Sequence, residues 1–211
     1  MDLGSSRISY ERGTLDEAGV GRDPVERLRV WIDEARAGGV DEPNAMCLAT
    51  ADAGGLPSAR IVLLRGLDAR GLAFYTSYFS RKGRELESNP HAAATFYWPA
   101  LQRQVRVEGG VERLGEDESD AYFASRPRGS RLAAWASEQS EPIEDRVLLD
   151  ERVAHFEQRF AGEEVERPHS WGGYLIVPQR IEFWQGRENR LHDRLVFERD
   201  GTAWDLRRLQ P

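Results

Sequence analysis

The chain has one cysteine, Cys47, in 211 residues. A single thiol closes no disulfide within the chain, so a reducing compartment fits and the cytoplasm is the expected location. Its place in an apolar run, with no activating neighbour, suits a packed thiol better than a nucleophile. No apolar run approaches the length of a membrane span, and no signal-peptide core opens the chain, so no membrane partner is expected. His91, His155, His169 and His192 stand at no metal-ligand spacing to one another or to Cys47, which argues against zinc; no metal is expected. Excess positive charge is missing too. Lys and Arg total 29 against 36 Asp and Glu, a formal net charge of -7, and there is no basic tail, so nucleic acid is not expected as a partner. No G-x-S-x-G elbow surrounds Ser130 or Ser140. No glycine-rich phosphate loop follows a strand, so a nucleotide-like ligand would have to be held by side chains.

What is present is ordinary globular composition, 40% hydrophobic and 31% charged. Residues 1–22 lack a clear period and read as a flexible arm; residues 23–211 read as one domain. DPVERLRVWIDEARAGG is a helix, with Asp23 as cap, Pro24 at its first position and a stripe of Val25, Leu28, Trp31, Ile32 and Ala35. AMCLATAD, SARIVLLRGLD and GLAFYTSY are three strands separated by DAGG and DARG turns. A short helix, SRKGRELES, is capped by Ser80. AAATFYWP and RQVRVEGGVERL are strands, EDESDAYFASRP is a helix stopped by Pro127, and GSRLAAWASEQS is helical in part. IEDRVLLDERVAHFEQRFAG is an amphipathic helix. WGGYLIVPQRIEFWQG, RLHDRLVFER and TAWDLRRL are strands, and Pro178 inside the first implies an edge or a bulge. Strands in adjacent hairpin-like groups favour a mostly antiparallel β-barrel with peripheral helices, an α+β class, over a doubly wound sheet.

Four clusters carry candidate chemistry. In ARIVLLRG, Arg60, Val62 and Leu64 share one face and Ile61, Leu63 and Arg65 the other, so an arginine at each end could brace a flat ring; an interior strand reaching solvent is the alternative. Arg81 and Lys82 open a helix, where the macrodipole disfavours cations unless an anion binds there; a solvated first turn is the alternative. Tyr122 and Arg126 are four apart, with Arg128 and Ser130 just beyond, which suits either a second anion site or a helix end carrying arginines. QGRENRLHDR puts Arg190, His192 and Arg194 two apart, on one face if the segment is a strand, either as a charged edge or against an anionic or electron-rich ligand. Gln104, Gln139 and Ser140 offer the mixed donors and acceptors that a flavin or pyrimidine edge needs, although exposed Gln and Ser are common on any surface. Trp184 is a core or platform aromatic.

These stretches resemble the pyridoxamine 5'-phosphate oxidase family: RIVLLR at 60–65, FYTSYFSRKGREL at 74–86, RQVRVEG at 103–109, YFASRPRGSRLAAWASEQS at 122–140, and WGGYLIVPQRIEFWQGRENRLHDR at 171–194. The resemblance covers roughly residues 20–211 in unbroken order. It implies an FMN-binding split β-barrel that forms a homodimer with FMN at the subunit interface. Its activity would be oxidation of pyridoxamine and pyridoxine 5'-phosphates to pyridoxal 5'-phosphate, with O2 as acceptor and H2O2 as product. The FMN phosphate would meet Arg60, Arg81 and Lys82. Ile61, Val62, Leu63, Leu64, Arg65, Tyr75 and Thr76 would line the ring and ribityl region, completed by Gln104, Gln139, Ser140, Trp184 and Arg194. The substrate phosphate would meet Tyr122, Arg126 and Ser130. Arg190 and His192, the implied catalytic pair, would flank the substrate ring with Leu191 between them. RISY at 7–10 resembles the segment that closes over the substrate through Arg7 and Tyr10. The family often has lysine where Arg65 stands, also at the substrate, so contact geometry there must differ. Phenazine-biosynthesis oxidases share parts of the pattern, and a flavin- or pyridoxal-phosphate-binding module without turnover is the reading from another class.

Overall fold

Alternation by two decides where the sheet buries its side chains. The computed structural model describes residues 9–211. In β1 (Ala45–Ala51), Met46, Leu48 and Thr50 point inward; in β5 (His91–Trp98), Ala92, Ala94, Phe96 and Trp98 do the same. β6 (Arg103–Arg113) adds Val105, Val107 and Val111. The other strands are β2 (Pro57–Leu63), β3 (Gly66–Asp68), β4 (Gly71–Ser77), β7 (Trp171–Gln185), β8 (Asp193–Asp200) and β9 (Ala203–Leu209). All pairings are antiparallel, in the order β2-β1-β5-β6-β7-β4-β3, with β8 on β7 and β9 on β8. Helix α2 (Pro24–Ala37) seals one side of the barrel. Its expected stripe is buried against the strands, and Trp31 meets Phe183 edge-on at 5.0 Å. This is the antiparallel barrel that the strand grouping implied.

The longest strand, β7, organises the rest. It pairs with β6 along nearly its whole length, while its other edge serves β4 first and β8 afterwards. Gly109 faces Pro178 and Glu108 faces Arg180, so Gln179 is an extra residue in a bulge. Of the two readings of Pro178, the bulge holds and the edge does not: the missing N–H falls where the ladder is already interrupted.

Several sequence expectations are corrected. SARIVLLRGLD is two strands rather than one: Leu64 donates its N–H to the Asn44 carbonyl and Arg65 donates to that of Ala73, so Arg65 lies beyond β2. Arg190 and His192 are outside any strand. Glu188–Arg190 forms a single 3-10 turn, Asn189 and Arg190 are left-handed at φ 55° and 63°, and β8 starts only at Asp193. Strand alternation therefore does not group Arg190, His192 and Arg194. Helix α6 (Arg146–Arg159) forms but buries none of its own residues, because it packs on α5 (Arg128–Ala136) outside the barrel. The described part of the arm is built in. Asp16 caps α1 (Glu17–Val20), and Leu15 and Val20 join the core.

Helix α3 (Arg81–Ser88) is capped by Ser80, whose Oγ accepts from the Gly83 N–H, and it runs against β1. Gly83 is buried, and a Cβ there would overlap the Tyr78 carbonyl. Gly83→Ala is therefore expected to cost about 1–3 kcal/mol through overpacking. A thermal melt of the purified variant reads this directly, and an unchanged midpoint would refute the close approach.

Candidate active site

A cavity of about 660 Å³ opens between the edge strand β2, strand β4 and the helices α3, α4 (Glu116–Ser125) and α5. That volume lies within the usual range for small-molecule sites. It is lined by Arg60, Ile61, Val62, Leu63, Arg65, Tyr75, Thr76, Arg81, Lys82, Tyr122, Arg126, Gln139 and Ser140 among others. Side chains far apart in the chain, from Ser58 to Trp171, thus meet because the sheet curls until β2 approaches β4.

One end of the cavity is cationic. Lys82 is 6% exposed, and its Nζ donates to Thr76 Oγ1 and Gln139 Oε1, each at 3.1 Å. Burial, aided by Arg60 and opposed by Glu85, lowers its pKa to about 8. An ammonium held at that cost, with neutral oxygens as its nearest partners, suits a site completed by an anion. Arg60 donates to Thr50 Oγ1 at 2.5 Å, to Ser58 Oγ and to Glu85 at 3.3 Å. Arg81 donates its N–H to Ser140 Oγ at 3.1 Å and its Nε to Glu85 at 2.9 Å. Sequence reasoning passed over Glu85. Burial alone would raise its pKa, but hydrogen bonds from Ser58, Thr50, Arg81 and Arg60 bring it down to about 2. Its spacing of four from Arg81 was the available signal.

The other end joins an aromatic wall to a second cation. Tyr75 and Tyr122 stack at 3.8 Å, and Trp171, also missed in the sequence, lies nearly parallel to both. The Arg126 guanidinium sits 4.5 Å over the Trp171 ring, a cation–π contact. α4 ends at Ser125 and Arg126 is extended, at φ -75° and ψ 147°, so it does not share a helix face with Tyr122 as the spacing implied. Pro127 enforces this, since the residue before a proline is pushed out of the helical region. Arg126 Nη1 is buried without a hydrogen-bond partner among the described residues. Burial lowers its pKa, Tyr122 opposes this and Arg65 adds to it. A buried guanidinium edge without an acceptor, beside the exposed Arg65, fits an anionic group such as a phosphate.

The remaining expected site residues are elsewhere. Leu64 is in the core, and Ser130, in the first turn of α5, is outside the cavity lining. Gln104, Trp184 and Arg194 stand side by side on β6, β7 and β8, in register with one another. Arg194 is fixed by the buried Glu182, which accepts from its Nε at 2.9 Å and its Nη2 at 3.1 Å. His192 packs on Trp184 at 4.6 Å, and Tyr10 meets both rings edge-on. His192 Nδ1 accepts the Arg187 N–H at 3.1 Å, which leaves the proton of the neutral ring on Nε2. Burial, and then Arg190, lower its pKa, which favours the neutral ring. Tyr10 is placed by Gln102, a buried side chain that accepts from the Glu11 and Arg12 N–H groups and donates to the Ser9 carbonyl. Leu191 is 69% exposed and lines a separate depression with Tyr10 and Arg187. Arg7 lies outside the described residues. One chain therefore holds two clusters that share no lining residue.

A curled antiparallel barrel with such a cavity at its edge strand defines the class of FMN-binding split barrels. The fold matches the crystal structure of a pyridoxamine 5'-phosphate oxidase-related, FMN binding protein from Nostoc punctiforme (TM-score 0.70, 17% identity, 90% of this chain and 100% of that one). It also matches PhzG from Burkholderia lata in complex with tetrahydrophenazine-1-carboxylic acid (TM-score 0.88, 34% identity, 94% of this chain and 98% of that one). Residues 32–160 match the pyridoxamine 5'-phosphate oxidase family model, and residues 171–211 match that of the pyridoxine 5'-phosphate oxidase C-terminal dimerisation region. The chain belongs to the pyridoxamine 5'-phosphate oxidase family. Proteins named pyridoxine/pyridoxamine 5'-phosphate oxidase from Rubrobacter xylanophilus and Bordetella avium are 58% and 56% identical over 210 and 212 residues, covering 100% of this chain and 97% and 100% of theirs. No described helix is long and apolar enough to cross a membrane.

Proposed function

We propose that the chain is an FMN-dependent oxidase that converts pyridoxamine 5'-phosphate and pyridoxine 5'-phosphate to pyridoxal 5'-phosphate, with O2 as acceptor and H2O2 as product, in the cytoplasm. The observation that carries this reading is one cavity with buried Lys82 at one end and, at the other, an Arg126 Nη1 that has no hydrogen-bond partner among the described residues. Two phosphorylated aromatic molecules, one per cationic end, suit that arrangement. The residues present fit FMN: Arg60, Arg81 and Lys82 would hold its phosphate, and Ile61–Leu63, Tyr75, Thr76, Gln139 and Ser140 would line its body. When bound, FMN supplies the capacity to accept two electrons and pass them to oxygen.

The second cluster would come from another copy of the chain. Trp184, Arg190, Leu191, His192 and Arg194 all lie within residues 171–211, the part that matches a dimerisation region. A homodimer would bring that cluster onto the partner's cavity and complete two equal sites. In this arrangement Arg126, with Tyr122 beside it, binds the substrate phosphate. That supplies binding energy remote from the reacting carbon. Arg190 orients the substrate ring, and the His192 Nε2 proton is available for a hydrogen bond to a ring substituent. Tyr10 closes the site from the arm and helps exclude water. A phenazine-type substrate is the second reading, favoured by the PhzG match at 34% identity. The higher identity to the named oxidases supports the vitamin phosphates instead.

The test is an absorbance spectrum of the purified protein, followed by pyridoxamine 5'-phosphate without oxygen. A flavin band that bleaches on addition is expected, with peroxide released on readmitting air. A protein that takes up no FMN, or whose band survives both vitamin phosphates but bleaches with a dihydrophenazine, would overturn the assignment.

A further inference from the structure

Among the described residues, Glu85 is the one carboxylate in contact with two of the three cations at the phosphate end, and it is 5% exposed. Its Oε2 accepts from Thr50 Oγ1 at 2.5 Å, Ser58 Oγ at 2.6 Å and Arg60 Nη2 at 3.3 Å. Its Oε1 accepts from Arg81 Nε at 2.9 Å. One side chain on α3 is thereby tied to β1 and β2. Thr50 and Ser58 each also accept from Arg60, which closes a ring of hydrogen bonds around that guanidinium. The Arg81 side chain is held only by its Nε edge, so among the described residues both its Nη groups keep their hydrogens free; the side chain is 55% exposed, and the residue lines the cavity.

We propose that Glu85 is the positioning residue of the phosphate clamp: it grips Arg60 and the inner edge of Arg81 so that the open edge of Arg81 is already aimed when a phosphomonoester arrives. A planar guanidinium recognises phosphate through two parallel N–H bonds, so its plane must be set before binding if affinity is not to be lost to ordering. The inference rests on the cofactor reading above.

A carboxylate that merely neutralised the cations would have the opposite effect on affinity. Removing it would leave more net positive charge and tighten anion binding. The sign of the change therefore separates the two roles. Apoprotein of wild type and Glu85→Gln is titrated with FMN and with riboflavin, and dissociation constants are read from quenching of flavin fluorescence. Wild type is expected to prefer FMN strongly. Glu85→Gln is expected to bind FMN about tenfold more weakly while riboflavin changes little, since only the phosphate meets the clamp. An unchanged or tighter FMN constant, at unchanged riboflavin affinity, would overturn the positioning role. If Glu85→Gln does not fold, the decision passes to Thr50→Val. That change keeps the volume and the carboxylate but removes a hydroxyl bridging Glu85 and Arg60. A reduced FMN-to-riboflavin preference supports the proposal and an unchanged one refutes it. Equal affinity of wild type for the two flavins would instead overturn the cofactor reading, and Glu85's role with it.

Discussion

Arg190→Ala is expected to lower turnover by on the order of 10²–10³-fold, the loss typical of a misoriented substrate, while the protein keeps its FMN. The structure explains why the effect should be confined to chemistry. Arg190 is exposed, outside every strand, and absent from the cavity lined by the clamp cations. It sits at φ 63°, where arginine and alanine carry similar strain, so the turn should survive the change. Its neighbour His192 is locked by the Arg187 N–H and by Trp184, which hold the local geometry without help from Arg190. Steady-state rates with pyridoxamine 5'-phosphate, alongside the flavin-to-protein absorbance ratio, measure both halves of the expectation. Retained turnover would remove Arg190 from the catalytic pair, and lost flavin would make it a cofactor ligand instead.

Lys82→Met should do the reverse, weakening FMN by about 10- to 100-fold through the loss of a charge-assisted hydrogen bond to its phosphate. Burial already disfavours the ammonium in the apoprotein, so the variant is expected to melt close to wild type when no flavin is present. The same residue sets a pH dependence. Its pKa falls from an ordinary 10.5 to about 8 in the folded chain. Between those values the unfolded chain holds the proton and the folded one does not, so this group makes the apoprotein more stable as pH rises from about 8 to 10.5. Phosphate binding has the opposite slope. It needs the protonated form, so FMN affinity should fall above pH 8, by up to about tenfold per unit. Titrations of wild type and Lys82→Met from pH 7 to about 9.5 distinguish the two, because the variant should lose that slope. A wild-type constant that is flat across this range would show that Lys82 does not meet the phosphate.

Much of the cavity lining was legible in linear order because its residues sit in short, chemically unusual runs. Two cations in the first turn of a helix contradict the macrodipole, and α3 forms where SRKGREL predicted it, with Ser80 as its cap. Arginines at the ends of RIVLLR flank an apolar centre, and five members of that run line the cavity. Other features were illegible for physical reasons. Period-two spacing at Arg190, His192 and Arg194 suggested a shared strand face, but two left-handed residues break the period before β8 begins. Tyr122 and Arg126 have helical spacing, yet Pro127 pushes Arg126 out of the helix. Glu85 looked like an ordinary acidic helix residue. Only the packing of α3 on β1 buries it and turns it into the partner of two arginines.

Local chemistry along the chain was enough to set most of the strands, the Asp23 and Ser80 helix caps, the antiparallel class and the families of side chains available to bind anions, because periodicity, turn residues and charge act over a few positions. Three-dimensional packing was needed to choose which cations share a cavity, to bury Lys82 and Glu85 together, and to separate the Arg190–His192 cluster from the clamp. Those outcomes depend on sheet curvature, the bulge at Pro178 and desolvation, which arise only when segments far apart in the chain exclude water from one another.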